Sequence, residues 1–182
     1  MDESRLAQAR HARFDQVVVP EIEVMLRVAR SITGNPTEAE DLVQDSLVRV
    51  FRFLDGFDGR HPRAWLLTIV RNTHISRNRK RRPGLLADPD APEVEQRAGA
   101  VPGVEDQYLD TTFDAAVEAA LRDSSEDARE VIGLVDLADL SYAEAAEVLG
   151  VPVGTVMSRL HRARRRIRED LRRSGLAPRR LR

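Results

Sequence analysis

Ser158, His161, Arg162 and Arg165 follow one another at intervals of 3, 1 and 3 residues, which places all four on one side of a helix. Their hydroxyl, imidazole and guanidinium groups donate hydrogen bonds, as phosphate oxygens and base edges in a major groove require. The other side of that helix would hold Val156, Leu160, Ala163, Ile167 and Leu171, an apolar stripe that must be buried. A second cationic set lies upstream. Arg71, His74, Asn78 and Arg81 share a helix face, with Arg77, Arg79, Lys80 and Arg82 beside them. A third set is acidic. Asp41, Gln44, Asp45 and Val48 lie opposite the stripe Ala39, Val43, Leu47, Val50 and Leu54. An acidic face is a poor surface for DNA and suits a protein partner with basic residues, although one taken alone is more often simply solvated. Between these sets, the short loop at 55–61 contains Gly56, Phe57 and Gly59 and could hold one unstacked base. Trp65, the only Trp, has apolar helical neighbours and reads as core.

The elements that position these residues are helical. Strand signals are confined to the β-branched run 17–19, which Pro20 ends. One helix is expected over 21–33, stopped by Gly34-Asn35-Pro36. The next covers 37–54, with Thr37 and Glu40 as a capping box and Gly56 after its end. A third runs from Pro62 to about Arg79. Helical spacing resumes near Asp110, with Phe113, Val117, Ala120 and Leu121 on one face, and a further helix carries Val131, Ile132, Val135 and Leu137.

Ser141-Tyr142-Ala143-Glu144 forms another capping box, opening a short helix that Gly150 closes. Pro152 starts the helix that bears Ser158. Ala146, Gly150 and Val156 have helix-turn-helix spacing: the small Ala permits close approach, the Gly takes the turn conformation, and the Val packs back. An ordinary helical hairpin with a basic exposed face is the plain alternative. Cap, Ala, Gly and basic face together favour a DNA-binding unit.

Charge is distributed in blocks. The chain has 182 residues and a net charge of −1, yet residues 60–82 carry 8 basic and no acidic side chains, and residues 151–182 carry 11 basic against 2 acidic. Residues 83–127 carry 12 acidic against 2 basic, and 83–103 is rich in Pro and Gly with few large apolar side chains, as a flexible linker would be. Two cationic blocks, each fused to an amphipathic helix, suggest a polyanion touched in two places rather than two solvated faces. The chain has no Cys, which excludes disulfides, Cys-based zinc sites and thiol nucleophiles. No apolar run is long enough for a membrane span, and the charged N-terminus is no secretory signal, so a cytoplasmic protein is expected. No phosphate-cradling Gly-rich loop, His-Glu metal spacing or nucleophile motif occurs, so we expect no enzyme, metal or cofactor. The sum is an all-α chain with two small helical domains, at 10–83 and 110–176, joined by a flexible acidic linker at 84–109.

These motifs resemble those of bacterial RNA polymerase sigma factors of the extracytoplasmic-function (ECF) group. Ala39-Glu40-Asp41-Leu42-Val43-Gln44-Asp45 is similar to the region 2.2 signature, and Pro62-Arg63-Ala64-Trp65-Leu66 with Arg71-Asn72 to regions 2.3 and 2.4. Leu140-Ser141-Tyr142-Ala143-Glu144-Ala145-Ala146 and the run from Val151 to Arg164 are similar to region 4. The order and separation of the motifs make the match strong.

The resemblance implies a subunit that binds core polymerase and directs it to promoters. Asp41, Gln44 and Asp45 match the surface docking on the β′ coiled coil, and the second domain would meet the β flap. Arg60, Arg63, Arg71, Asn72, His74, Arg77 and Asn78 match the element that melts and holds the −10 strand, and the loop at 55–61 the one that captures a flipped base. Thr155, Ser158, Arg159, His161, Arg162 and Arg165 match the face that reads the −35 element. The linker matches a segment threading near the RNA exit path, and many members are held inactive by an anti-sigma factor.

The chain departs from the pattern in places. Asp123-Ser124-Ser125 stands where relatives often have Leu-Pro, with Ser124 and Asp127 expected to cap the following helix instead. Ala145-Ala146 replaces a commoner Ile-Ala pair. Met157 and His161 occupy variable reading positions. A stand-alone helix-turn-helix regulator is the competing reading, but it leaves the acidic face and the first cationic block without a role.

Overall fold

The computed structural model of the chain describes residues 3–81 and 111–176. The expected acidic linker at 84–109 lies outside them. Helices α1 (Glu3–Val17), α2 (Ile22–Thr33), α3 (Pro36–Phe53) and α4 (Pro62–Arg81) form the first domain, with single 3-10 turns at Val19–Glu21 and Leu54–Gly56. Helices α5 (Thr111–Arg122), α6 (Glu126–Ile132), α7 (Tyr142–Leu149) and α8 (Val153–Arg173) form the second, with a π turn at Gly133–Leu137 after α6. No strand occurs among the described residues.

The boundaries follow local chemistry. Gly34 ends α2 at φ 68°, a left-handed conformation that costs a Cβ-bearing residue strain. The side chain of Asn35 then accepts from the Glu38 amide and Pro36 fills the first helical position. The expected Thr37–Glu40 capping box is therefore corrected. The cap lies two residues earlier, because Asn35 places its acceptor there and Pro36 has no amide to satisfy. In the β-branched run at 17–19, α1 ends at Val17 and Val18 is buried. Ser125, not Ser124, caps α6 by position, and Ser124 Oγ instead donates to Ala120 O at 2.7 Å. The Ser141–Glu144 box is present in both directions, and Gly150 closes α7 at φ 68°.

The stripes are buried as their periods require. Ala39, Val43, Val50 and Leu54 are buried on α3, as are Val156, Leu160, Ala163 and Leu171 on α8, while Leu47 and Ile167 are half-buried. α2 is the hub. It packs on α3 and α4 within its own domain, and on α6 and the π turn of the other. One continuous set of buried side chains runs from Val28 and Ile32 through Val131 and Leu134 to Val156. The two domains are thus in contact, which the reading of linked separate bodies does not anticipate. Trp65 packs against the core as expected, but only half-buried, its ring stacked on Phe57 at 4.4 Å.

Candidate nucleic-acid interface

α7, Gly150 and α8 build a helix-turn-helix. The left-handed Gly150 lets its amide, and that of Val151, return to the last carbonyls of α7, so the chain reverses tightly into Pro152 and α8. Burial of Val156 and Leu160 against α7 and α6 fixes the rotation of α8. That rotation leaves Ser158, His161, Arg162 and Arg165 exposed on one face. Arg165 pairs within the helix with Glu169 at 2.9 Å, and Arg162 Nε donates to Ser158 O at 3.3 Å. Thr155 and Arg159 are half-buried at the edge of this face, Arg159 held by Asp127 at 3.0 Å. Met157, 52% exposed, adds an apolar contact among these donors.

The first cationic helix is arranged differently. Arg63, Arg71 and His74 lie on one side of α4, and that side meets the second domain. Arg63 forks onto Glu21 (2.7 and 3.3 Å) and donates to Ala138 O at 3.0 Å. Arg71 Nε lies 2.9 Å from Glu130, whose side chain is 5% exposed. Burial pushes the Glu130 carboxyl above the usual carboxylate range, with Arg71 pulling the other way. His74 lies 3.5 Å from Glu126 and holds that carboxyl below its usual range. Asn78 lies 3.0 Å from His74 Nε2. Asn72 and Arg60 are exposed. Arg77 turns the other way, toward Asp41 (3.9 Å) and Asp45 (3.6 Å). The seven candidate residues of this element therefore do not form one open face.

Beside α4, the loop at 55–61 encloses an open hollow of about 580 Å³. Phe57, Arg60, His61 and Trp65 line it from the first domain, Glu147 and Val148 from the second. His61 takes φ 48°, a conformation that costs a non-glycine residue on the order of 1 kcal/mol. It is pinned there by Glu144 at 2.8 Å. α1, which the sequence did not suggest, braces this loop. Arg13 donates to Phe57 O and lies over the Phe57 ring, and Arg10 pairs with Asp55 at 2.9 Å. On α3, Asp41, Gln44, Asp45 and Val48 are all exposed on the side away from the core.

The arrangement defines a two-domain helical protein with one exposed cationic face on the second helix of a helix-turn-helix and one exposed acidic face on α3. Residues 22–83 match the Sigma-70 region 2 family, and residues 116–167 match Sigma-70, region 4. The chain is 37% identical to the ECF RNA polymerase sigma factor EcfG of Rhodopseudomonas palustris, over 76% of this chain and 74% of that one. It is 34% identical to the ECF RNA polymerase sigma factor SigE of Mycolicibacterium smegmatis, over 90% of this chain and 63% of that longer one. The fold is similar to that of the sigma factor RpoE of Bartonella quintana, solved in complex with the anti-sigma factor NepR. The TM-score is 0.71 and the identity 34%, over 87% of this chain and 96% of that one. The chain belongs to the ECF sigma factors, transcription initiation factors that direct RNA polymerase to promoters. A stand-alone regulator would have no use for a region 2 domain, and that reading is set aside.

No helix among the described residues is long and apolar enough to cross a membrane.

Proposed function

We propose the following division of labour, carried chiefly by the exposed Ser158, His161, Arg162 and Arg165 opposite the buried Val156, Leu160, Ala163 and Leu171. The second domain, over 110–176, reads the −35 element through that face, with Thr155 and Arg159 at its edge, and meets the β flap. The first domain, over 10–83, docks on the β′ coiled coil through Asp41, Gln44 and Asp45. Arg60, Arg63, Arg71, Asn72, His74, Arg77 and Asn78 hold the separated −10 strand. A flipped base enters the hollow beside Phe57 and Trp65, where stacking contributes about 1–3 kcal/mol per base against the cost of unstacking the duplex. Residues 84–109 connect the two domains, and joining them on one polymerase raises each domain's effective concentration at its element. An anti-sigma factor is the expected inhibitor, since RpoE of Bartonella quintana was crystallised with one.

The test is co-elution of the chain with bacterial core RNA polymerase. The wild type is expected to join core, and the Asp41→Arg/Asp45→Arg variant to elute alone while duplex binding is unchanged. A wild type that binds duplex DNA but never joins core overturns the proposal.

A further inference from the structure

α8 exposes two apolar side chains that the fold leaves unused. Val153 is 42% exposed and Met157 52%. They stand one turn apart on one side of the helix, and His161 continues their row a turn further on. Neither packs against the core cluster that takes up Val156, Leu160 and Ala163. Beside them, Gly154 begins the face that Ser158 and Arg165 extend. A Cβ built on Gly154 would meet nothing within 4 Å, so no other part of the described chain needs the space it leaves. The first turns of α8 therefore present an apolar edge, a gap and a row of donors side by side, all toward solvent.

We infer that Met157, with Val153 beside it, is a methyl-reading patch that selects thymine at the base pairs it meets in the −35 element. This rests on the reading of α8 as the helix that enters the major groove. At 21 residues α8 is about 31 Å long, whereas the groove is about 12 Å wide, so only part of the helix lies over bases. In a helix-turn-helix the N-terminal part does so, and both residues fall within the first five of α8. The major groove offers hydrogen-bonding groups at every base pair but one apolar group, the C5 methyl of thymine. An apolar side chain pressed on a base edge without that methyl strips water from a donor or acceptor and returns no hydrogen bond. Pressed on thymine, it buries the methyl instead. Residues one turn apart are about 6 Å apart along the helix axis, or about two base steps of 3.4 Å, so the two side chains reach methyls on nearby pairs. The surrounding charge fits DNA rather than an apolar protein surface: past His161 and Ser158, the same exposed side carries Arg162 and Arg165.

The test removes single methyl groups. The full chain is joined to core RNA polymerase, and this holoenzyme selects promoter duplexes from a random-sequence pool. Each thymine of the selected −35 element is then replaced in turn by uracil, which lacks only the methyl. With wild type, uracil at a thymine under the patch should weaken binding about three- to fourfold, the worth of one buried methyl. Met157→Ala should bind thymine and uracil nearly alike at that position, while Met157→Leu, apolar and of similar volume, should keep the preference. Val153→Ala should lose the preference at a nearby thymine. Because Met157 is exposed, Met157→Ala should unfold at the wild-type denaturant midpoint. The inference is overturned if no uracil weakens wild-type binding, or if Met157→Ala keeps every preference that wild type shows. It is equally overturned if Met157→Ala lowers the yield of holoenzyme and leaves the thymine preference intact, which assigns the patch to a protein partner. A holoenzyme that selects −10 sequences but no −35 sequence instead brings down the major-groove reading of α8, and the methyl reading with it.

Discussion

α4 and α8 carry nearly the same message in sequence, cationic side chains at helical spacing opposite apolar ones, yet they differ in what they offer to solvent. On α8 Ser158, His161, Arg162 and Arg165 project outward and pair at most along their own helix, as Arg165 does with Glu169, while Arg159 at the edge is held by Asp127 of α6 within the same domain. On α4 three of the candidates are held by the other domain, through Glu130, Glu126 and Ala138 O. Spacing along a chain therefore specifies a face, and packing decides whether that face is available. α8 is open because its apolar stripe is satisfied within the second domain. α4 is covered because its remaining side meets a second body with complementary charge.

The largest effect expected from this contrast is on stability. Arg71→Ala leaves the buried Glu130 without its cation and should cost about 3–5 kcal/mol, read as a fall in the denaturant midpoint. Arg165→Ala on α8, an equally cationic position, should stay within about 0.5 kcal/mol of wild type in the same titration. Equal midpoints would remove the distinction between the helices. Next, Arg162→Ala should leave the midpoint in place and weaken binding to −35 duplex by about 1–3 kcal/mol if it reads a base. Uniform weakening across all sequences would make Arg162 a phosphate contact instead. Ser141→Ala breaks the capping box of α7 and should cost about 1 kcal/mol of stability, while raising the salt sensitivity of −35 binding little or not at all.

The smallest effect is in pH. The Ser141 hydroxyl and amide, with His61, hold the Glu144 carboxyl below its ordinary range. Its ionised form is thus favoured by folding. That stabilisation is complete above the ordinary carboxylate pKa and is lost as pH falls through the lowered one. Glu130 has the opposite sign. Burial raises its pKa, so its ionised form opposes folding at neutral pH and protonation on acidification relieves that cost. Thermal unfolding followed from pH 7 toward about pH 3 should show less acid-side loss in Glu144→Gln and more in Glu130→Gln than in wild type. Matching slopes for the two variants would contradict the contrast between an exposed cap and a buried latch.

Local rules made much of this protein legible before its structure. The helix-turn-helix is the clearest case. Ser141, Glu144, Ala146, Gly150 and Val156 act over a few residues, and each takes the role that capping, turn and packing chemistry assigns it. The stripe on α8 and the acidic face on α3 follow from helical period alone, because burial of one side of a helix leaves the other exposed. Thr37 was misplaced as a cap because Asn35 and Pro36 offer a rival start two residues away, and only the settled backbone chooses between them. α1 escaped notice because its stretch lacks a long apolar stripe, and its bracing residues, Arg10 and Arg13, act on Asp55 and Phe57 more than forty positions away.

The sequence by itself determined helices, their faces, the two domains and the chemistry each exposes, since those follow from neighbours within a turn or two. Only the tertiary structure decided that α2 meets the π turn at Gly133 and that Glu130 sits buried against Arg71. Those contacts join positions far apart in the chain, and nothing in the spacing of either partner encodes the other. They arise when two apolar surfaces and two opposite charges find a common fit, a balance of burial against desolvation that only the packed molecule sets.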